Sequence, residues 1–159
     1  MPARPGGAGR IQAMLNIHNS LSRATEPFVP LVPGEADARA AVPTRSQEII
    51  DQIKVEFVPR VKVILAGSSV EFPNKDNIRH QVYSFSPAKV FNLPLYAGTP
   101  AKPVVFDKPG VVVLGCNIHD WMVGYVYVAE SPWFAKTNAD GTAVLRGLPS
   151  PRYSVRVWH

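Results

Sequence analysis

The feature that most limits what this chain can fold into is its punctuation. Its 159 residues include 16 prolines and 11 glycines, and from about Gln47 these cut the sequence into short apolar runs. Ala66-Gly67, Pro73-Asn74, Ala97-Gly98, Lys108-Pro109-Gly110 and Ala139-Asp140-Gly141 are all turn formers. Helices of ordinary length do not fit between them, whereas strands do. Candidate strands are Ile53–Val58, Val61–Leu65, Ser69–Phe72, Gln81–Ser84, Lys89–Leu93, Pro103–Phe106, Val111–Leu114 and Val123–Val128, then Ala143–Arg146 and Tyr153–Trp158. In Val123–Val128 the period of two puts Val123, Tyr125 and Tyr127 on one face and Val126 and Val128 on the other. Tyr83, Phe85, Phe91, Tyr125 and Tyr127 are most simply core aromatics. Strands of this length and spacing predict an all-β sandwich or barrel.

Residues 1–46 differ in character, being rich in Ala, Pro, Gly and Arg with poor periodicity. A short helix fits around Ile11–Arg23, where Ile11, Leu15, Ile17 and Leu21 lie roughly on one side. Thr25–Thr44, with Pro27, Pro30, Pro33 and Pro43, reads as an extended, irregular arm. The formal charge of +5 is spread along the chain, +2 in residues 1–47 and +3 in 48–159. No basic run or basic helix face stands out, so the pattern argues against a nucleic-acid partner. A single cysteine excludes an internal disulfide. No apolar stretch approaches the length needed for membrane insertion. The first twenty residues lack the apolar core of a secretory signal, which taken literally indicates the cytoplasm.

Between the seventh and eighth strands lies the run Cys116-Asn-Ile-His119-Asp-Trp-Met122. It carries a thiolate, an imidazole and a thioether at three-residue intervals. These are donors that a blue-copper centre takes from one loop, and a second imidazole completes its trigonal set, with methionine as the weak axial ligand. Thioether sulfur suits copper and is a poor donor for structural zinc, which would also need further Cys or His nearby. The candidate second imidazole is His80, because His18 falls in the arm and His159 is the last residue. Read alone, His80 is as well explained as a strand-start histidine bonding a loop.

Asn74, Asp76 and Asn77 form turns in this reading, with a secondary role in steadying the metal-binding loops. Trp121 suits either the core or a surface rim beside His119, where it would help a partner dock. Asp120 beside a ligand is ordinarily just solvated; held close, its charge would favour Cu(II).

These residues resemble the cupredoxin family, and the Cys-x-x-His-x-x-Met spacing is similar to that of amicyanin. The resemblance runs from Gln52 to Val128 and is carried by EFPNKDNIRHQVYSFSPAKVF, PLYAGTP and VVFDKPGVVVLGCNIHDWMVGYVYV. It implies a Greek-key β-sandwich over residues 47–130, following the irregular arm of residues 1–46. It also implies one type 1 copper per chain on His80, Cys116, His119 and Met122, and a periplasmic location. FAKTNADGTAVLRGLPSPRYSVRVWH resembles the closing hairpin of small prealbumin-like modules, so residues 131–159 are expected to form a C-terminal β-hairpin extension. Relatives begin with a signal peptide and an initial strand, so an incorrectly assigned start or a truncated copy is also expected. Two departures stand out. Gln81 occupies the place of an asparagine that ties the two ligand loops together, so that tie is weakened and the site less rigid, with Asn74 and Gln81 expected to hydrogen-bond around the ligands. Gly115 replaces a bulkier residue, which would leave the thiolate less packed on one side.

The expectation is therefore an electron-transfer protein, not an enzyme, serving redox partner proteins. A saturated four-donor site leaves no open position for substrate. The competing readings are a copper carrier or storage protein using the same ligands, and a structural β-domain whose site has decayed.

Overall fold

The computed structural model describes residues 44–100, 102–137, 141, 143 and 156–159, together with the backbone of residues 15–19 and 24–28. The chain divides into two compact units, Met1–Ala40 with Ala135–His159, and Ala41–Phe134. In the first, β1 (Leu15–Asn19) pairs antiparallel with β2 (Ala24–Phe28). The sequence suggested a helix and an irregular arm there. Leu15 and Ile17 also fit a period of two, and that is the period the backbone follows. The expected tail strands Ala143–Arg146 and Tyr153–Trp158 lie largely outside the described residues, and residues 143 and 156–159 are not in strands.

The second unit is a β-sandwich. Its strands are β3 (Gln47–Ile49), β4 (Asp51–Ile53), β5 (Glu56–Val58), β6 (Val61–Leu65), β7 (Ser68–Glu71), β8 (His80–Ser86), β9 (Lys89–Tyr96), β10 (Val104–Phe106), β11 (Gly110–Gly115) and β12 (Val123–Ala129). One sheet has the order β10-β7-β3 and the other β6-β12-β11-β8-β9. β12 runs parallel to β6, and β3 parallel to β7, while the remaining neighbours in the two sheets are antiparallel. Alternation decides which side chains meet between the sheets. Val112 and Leu114 of β11, Val126 and Val128 of β12, and Val82 of β8 face Ile50, Val70, Phe72 and Phe106 in one hydrophobic cluster. Phe91 of β9 reaches across, with its ring 5.8 Å from Phe72 and 6.0 Å from Phe106. Each large side chain buried here contributes about 1.5–3 kcal/mol. Glu48 and Lys62 form an ion pair between the edge strands β3 and β6. It is partly exposed and adds little to stability.

Two expectations need correction. Ile53–Val58 is not one strand but the two-stranded ribbon β4–β5, turned at Lys54 and Val55, whose φ angles are 53° and 62°. Neither residue is a turn former, and the turn is held from outside by the Asp76 carboxylate, which accepts from both amides. Nor do the named aromatics other than Phe91 fill the core. Tyr83, Tyr125 and Tyr127 lie half-buried on the outer sheet face and Phe85 is 79% exposed, while Phe57, Phe72 and Phe106 are buried. The period of two that points His80, Val82 and Ser84 inward necessarily turns Tyr83 outward with Gln81.

Gly124 of β12 lies directly under Phe57. A Cβ added there would sit 3.0 Å from the Phe57 Cβ and 3.1 Å from its ring. Gly124→Ala is therefore expected to lower stability by about 1–3 kcal/mol through overpacking. Urea denaturation measures this, and an unchanged midpoint would contradict the packing described.

Candidate metal centre

The β11–β12 hairpin builds half of the site. Its last pair, Gly115 with Val123, leaves Cys116–Met122 as the connecting loop. Within the loop, the Met122 amide donates to the His119 carbonyl at 3.0 Å and the Val123 amide to the Trp121 carbonyl at 3.0 Å. These turns fold the loop back on itself. Cys116 and Met122 are buried, at 3% and 1% exposure, and His119 is half-buried. Cys116 Sγ lies 3.7 Å from His119 Nδ1.

The first strand of the β8–β9 hairpin supplies His80, with no exposed surface. One donor atom from each of His80, Cys116 and His119 lies within 4.8 Å of the others. The two imidazole rings meet edge to face, with centroids 5.0 Å apart. The loop before β8 is pinned by Asn74. Its Nδ2 donates to the Ile78 and Tyr96 carbonyls at 2.8 and 3.0 Å, and its Oδ1 accepts from the Asp76 amide at 3.0 Å. Its own amide donates to Gly98 O at 2.8 Å.

Asp76 then contacts His80, with 2.8 Å between Oδ2 and Nε2. Burial pushes the Asp76 pKa up, but bonds from the Val55 amide, His80 and the Lys54 amide outweigh this and hold it below the usual carboxylate value. A carboxylate is an acceptor only, so Nε2 is the donor in this contact, and in the neutral ring Nδ1 is the nitrogen with the lone pair. That Nδ1 is buried and has no hydrogen-bond partner. Leaving it unmatched would cost about 1–3 kcal/mol. An inward-facing lone pair beside a thiol and a second imidazole fits a metal ion, and nitrogen and sulfur donors select a borderline or soft one.

The remaining expected site residues are placed as follows. Gln81 is turned away from His80 and its Nε2 donates to Asn92 Oδ1 on β9 at 2.7 Å, so it does not tie the ligand loops together. The physical reason is the alternation of β8, while the Asn74 bonds pin the loop before β8 against Tyr96 and Gly98. The space beside Gly115 is not empty either. Tyr83, its partner across the β8–β11 pairing, lays its ring where a Cβ would stand, within 2.8 Å. Trp121 is 71% exposed, with its ring 5.5 Å from that of His119, and Asp120 is exposed.

Sequence reasoning did not find Tyr96 or Gln52. The Tyr96 hydroxyl donates to Phe72 O at 2.6 Å and accepts from Gln52 Nε2 at 2.5 Å. Burial first, and the nearby Cys116 charge, push its pKa up to about 12 against the opposing Gln52 bond. Both residues sit far from the ligands in sequence, and no local pattern marks them.

Asn74→Ala would strip partners from Ile78 O, Tyr96 O and the Asp76 amide together. A loss of about 1–3 kcal/mol is expected, with faster amide exchange over residues 75–79. Thermal unfolding and hydrogen exchange test both; an unperturbed loop would contradict the anchoring role.

No protein-family model and no curated protein matches the sequence. Among solved structures, a copper-containing nitrite reductase from Thermus scotoductus SA-01 is 28% identical, with a TM-score of 0.48 over 65% of this chain and 28% of that one. The chain thus spans little more than a quarter of the reductase. A purple cupredoxin from Nitrosopumilus maritimus is 29% identical, with a TM-score of 0.45 over 53% of this chain and 99% of that one. A pseudoazurin from Sinorhizobium is 22% identical, with a TM-score of 0.43 over 54% of this chain and 76% of that one. Independently of these superpositions, the chain has the two-sheet β-sandwich and gathers His80, Cys116 and His119 at its loop ends, the fold and donor cluster that its resemblance to cupredoxins implies.

Proposed function

We propose that this chain is a type 1 copper protein that carries single electrons between redox partner proteins, with one copper per chain. His80 Nδ1, Cys116 Sγ, His119 and Met122 would hold the copper, nitrogen and soft sulfur donors that suit it. The observation that carries the reading is the convergence of a thiol and two imidazoles within 4.8 Å, one imidazole nitrogen being buried and otherwise unpartnered. Bound copper would supply a one-electron couple, with thiolate covalency giving the blue colour.

The chain's own contribution is to hold the donors still. His80 starts a paired strand, and Cys116 and Met122 flank paired strands, so the donor positions change little when the charge of the site changes by one. Four protein donors leave no open position for a substrate, which favours a carrier over an enzyme. His119 is half-buried beside the exposed Trp121. This supports docking of a partner at that face, with electrons passing through the His119 edge. Among the described residues no helix is long and apolar enough to cross a membrane. The family resemblance favours the periplasm.

The test is the visible absorption and electron paramagnetic resonance spectrum of the purified protein with one equivalent of Cu(II), beside Cys116→Ser. An intense thiolate-to-copper band, absent from C116S, together with reversible one-electron cycling, is the expected outcome. A protein that stays colourless but takes up Cu(I) and yields it readily to a chelator would identify a copper carrier. Failure of folded protein to bind copper would overturn the reading.

A further inference from the structure

The β4–β5 turn has an unusual backbone. Lys54 and Val55 both have positive φ, 53° and 62°. Turns that need this at both positions are normally Asn-Gly or Asp-Gly, and a β-branched residue there is a genuine outlier. Such strain persists only where the surroundings over-determine it, and it gathers at functional sites. Here the strained turn aims two adjacent amides at one carboxylate. Lys54 N–H donates to Asp76 Oδ1 at 2.7 Å and Val55 N–H to Oδ2 at 2.9 Å. The Asp76 amide is itself fixed by Asn74 Oδ1. Oδ2 has one further partner, His80 Nε2 at 2.8 Å.

We propose that Asp76 is a positioning residue for the metal centre. Clamped by the Lys54–Val55 turn, it locks His80 as the Nε2–H tautomer and strengthens Nδ1 as a donor through its negative charge. Metal-bound histidines depend on such outer partners for orientation and basicity, and losing one typically costs 10–100-fold in metal affinity. Asp76 is held by groups more than twenty residues away, on a turn that does not itself belong to the ligand loops. The clamp is thus made by groups that are not themselves metal donors. The effect on the metal rests on the copper reading above, whereas the tautomer lock concerns the chain alone.

The experiment uses the full chain and three substitutions, D76A, D76N and V55G, with folding checked by circular dichroism. In the metal-free protein, nitrogen-15 correlation spectra of the imidazoles should show His80 in one tautomer, protonated at Nε2. In D76A this preference should be lost. D76N keeps the shape and one acceptor oxygen but removes the charge. With copper bound it should raise the reduction potential, and its Cu(II) affinity should fall by about 10–100-fold. V55G keeps the amide and relieves the backbone, so it should match the parent in all three readouts. An unchanged His80 tautomer in D76A, or an unchanged potential and affinity in D76N, would overturn the proposal. If the parent protein binds no copper, the proposed function fails, and the tautomer in metal-free D76A alone decides the positioning role. If D76A does not fold, D76N decides it by the potential and affinity.

Discussion

The register of β11 against β12 is the constraint on which the rest depends. Gly110 pairs with Val128 and the ladder runs without a break to Gly115 and Val123. Sliding one strand by a single residue would carry Val126 and Val128, or Val112 and Leu114, from the core to the outer face. The hydrophobic cluster therefore fixes the register, and the register fixes where pairing ends. It ends at Gly115, so the next residue, Cys116, leaves the sheet at the edge of the core with its side chain covered. A packing requirement spread over many apolar residues thus sets the position of one sulfur atom.

The opposite half of the site is governed by polar satisfaction. Gln52, Asn74 and His80 are buried polar residues at one end of an otherwise apolar interior. Most of the polar atoms they bring inward meet a partner: Phe72 O, Tyr96 O and OH, Ile78 O, the Asp76 amide and the Asp76 carboxylate. Hydrogen bonds of this kind contribute little net stability each, but leaving one unmade is costly. The network therefore specifies one arrangement of the loop rather than merely holding it. Its exceptions are Gln52 Oε1, Asp51 Oδ1 and His80 Nδ1, and the last lies among the other metal donors. A bulge between β8 and β9 allows this geometry, since His80 pairs with Tyr96 but Val82 with Leu93. The extra length lies at Pro94 and Leu95, and Pro94 has no amide to place in the ladder.

What the sequence made legible was local. The alternation of Val123–Val128 and the turns at Gly67, Gly98 and Gly110 are written within a few neighbouring residues, and the structure follows them; the three-residue spacing of Cys116 and His119 is equally local, and the two meet. The departures come from partners distant in sequence. The Lys54–Val55 turn exists because a carboxylate more than twenty residues on accepts its amides, and no local propensity announces that. Residue type alone suggests a place for Gln81 beside the ligands, yet the pleat turns it outward to Asn92. Phe85 was read as core because it is aromatic, although its neighbours in the alternation already placed it on the outer face.

The contact between Tyr83 and Gly115 has a consequence for how this site can vary. The two residues face each other across β8 and β11 and share a single volume on the outer face of the sheet. Whatever one gains in bulk the other must yield. Position 115 is therefore not freely replaceable, and position 83 is not an ordinary surface tyrosine: a larger residue before the cysteine becomes acceptable only where the ring opposite has shrunk. Descendants of this sequence would change the two places together or leave both alone.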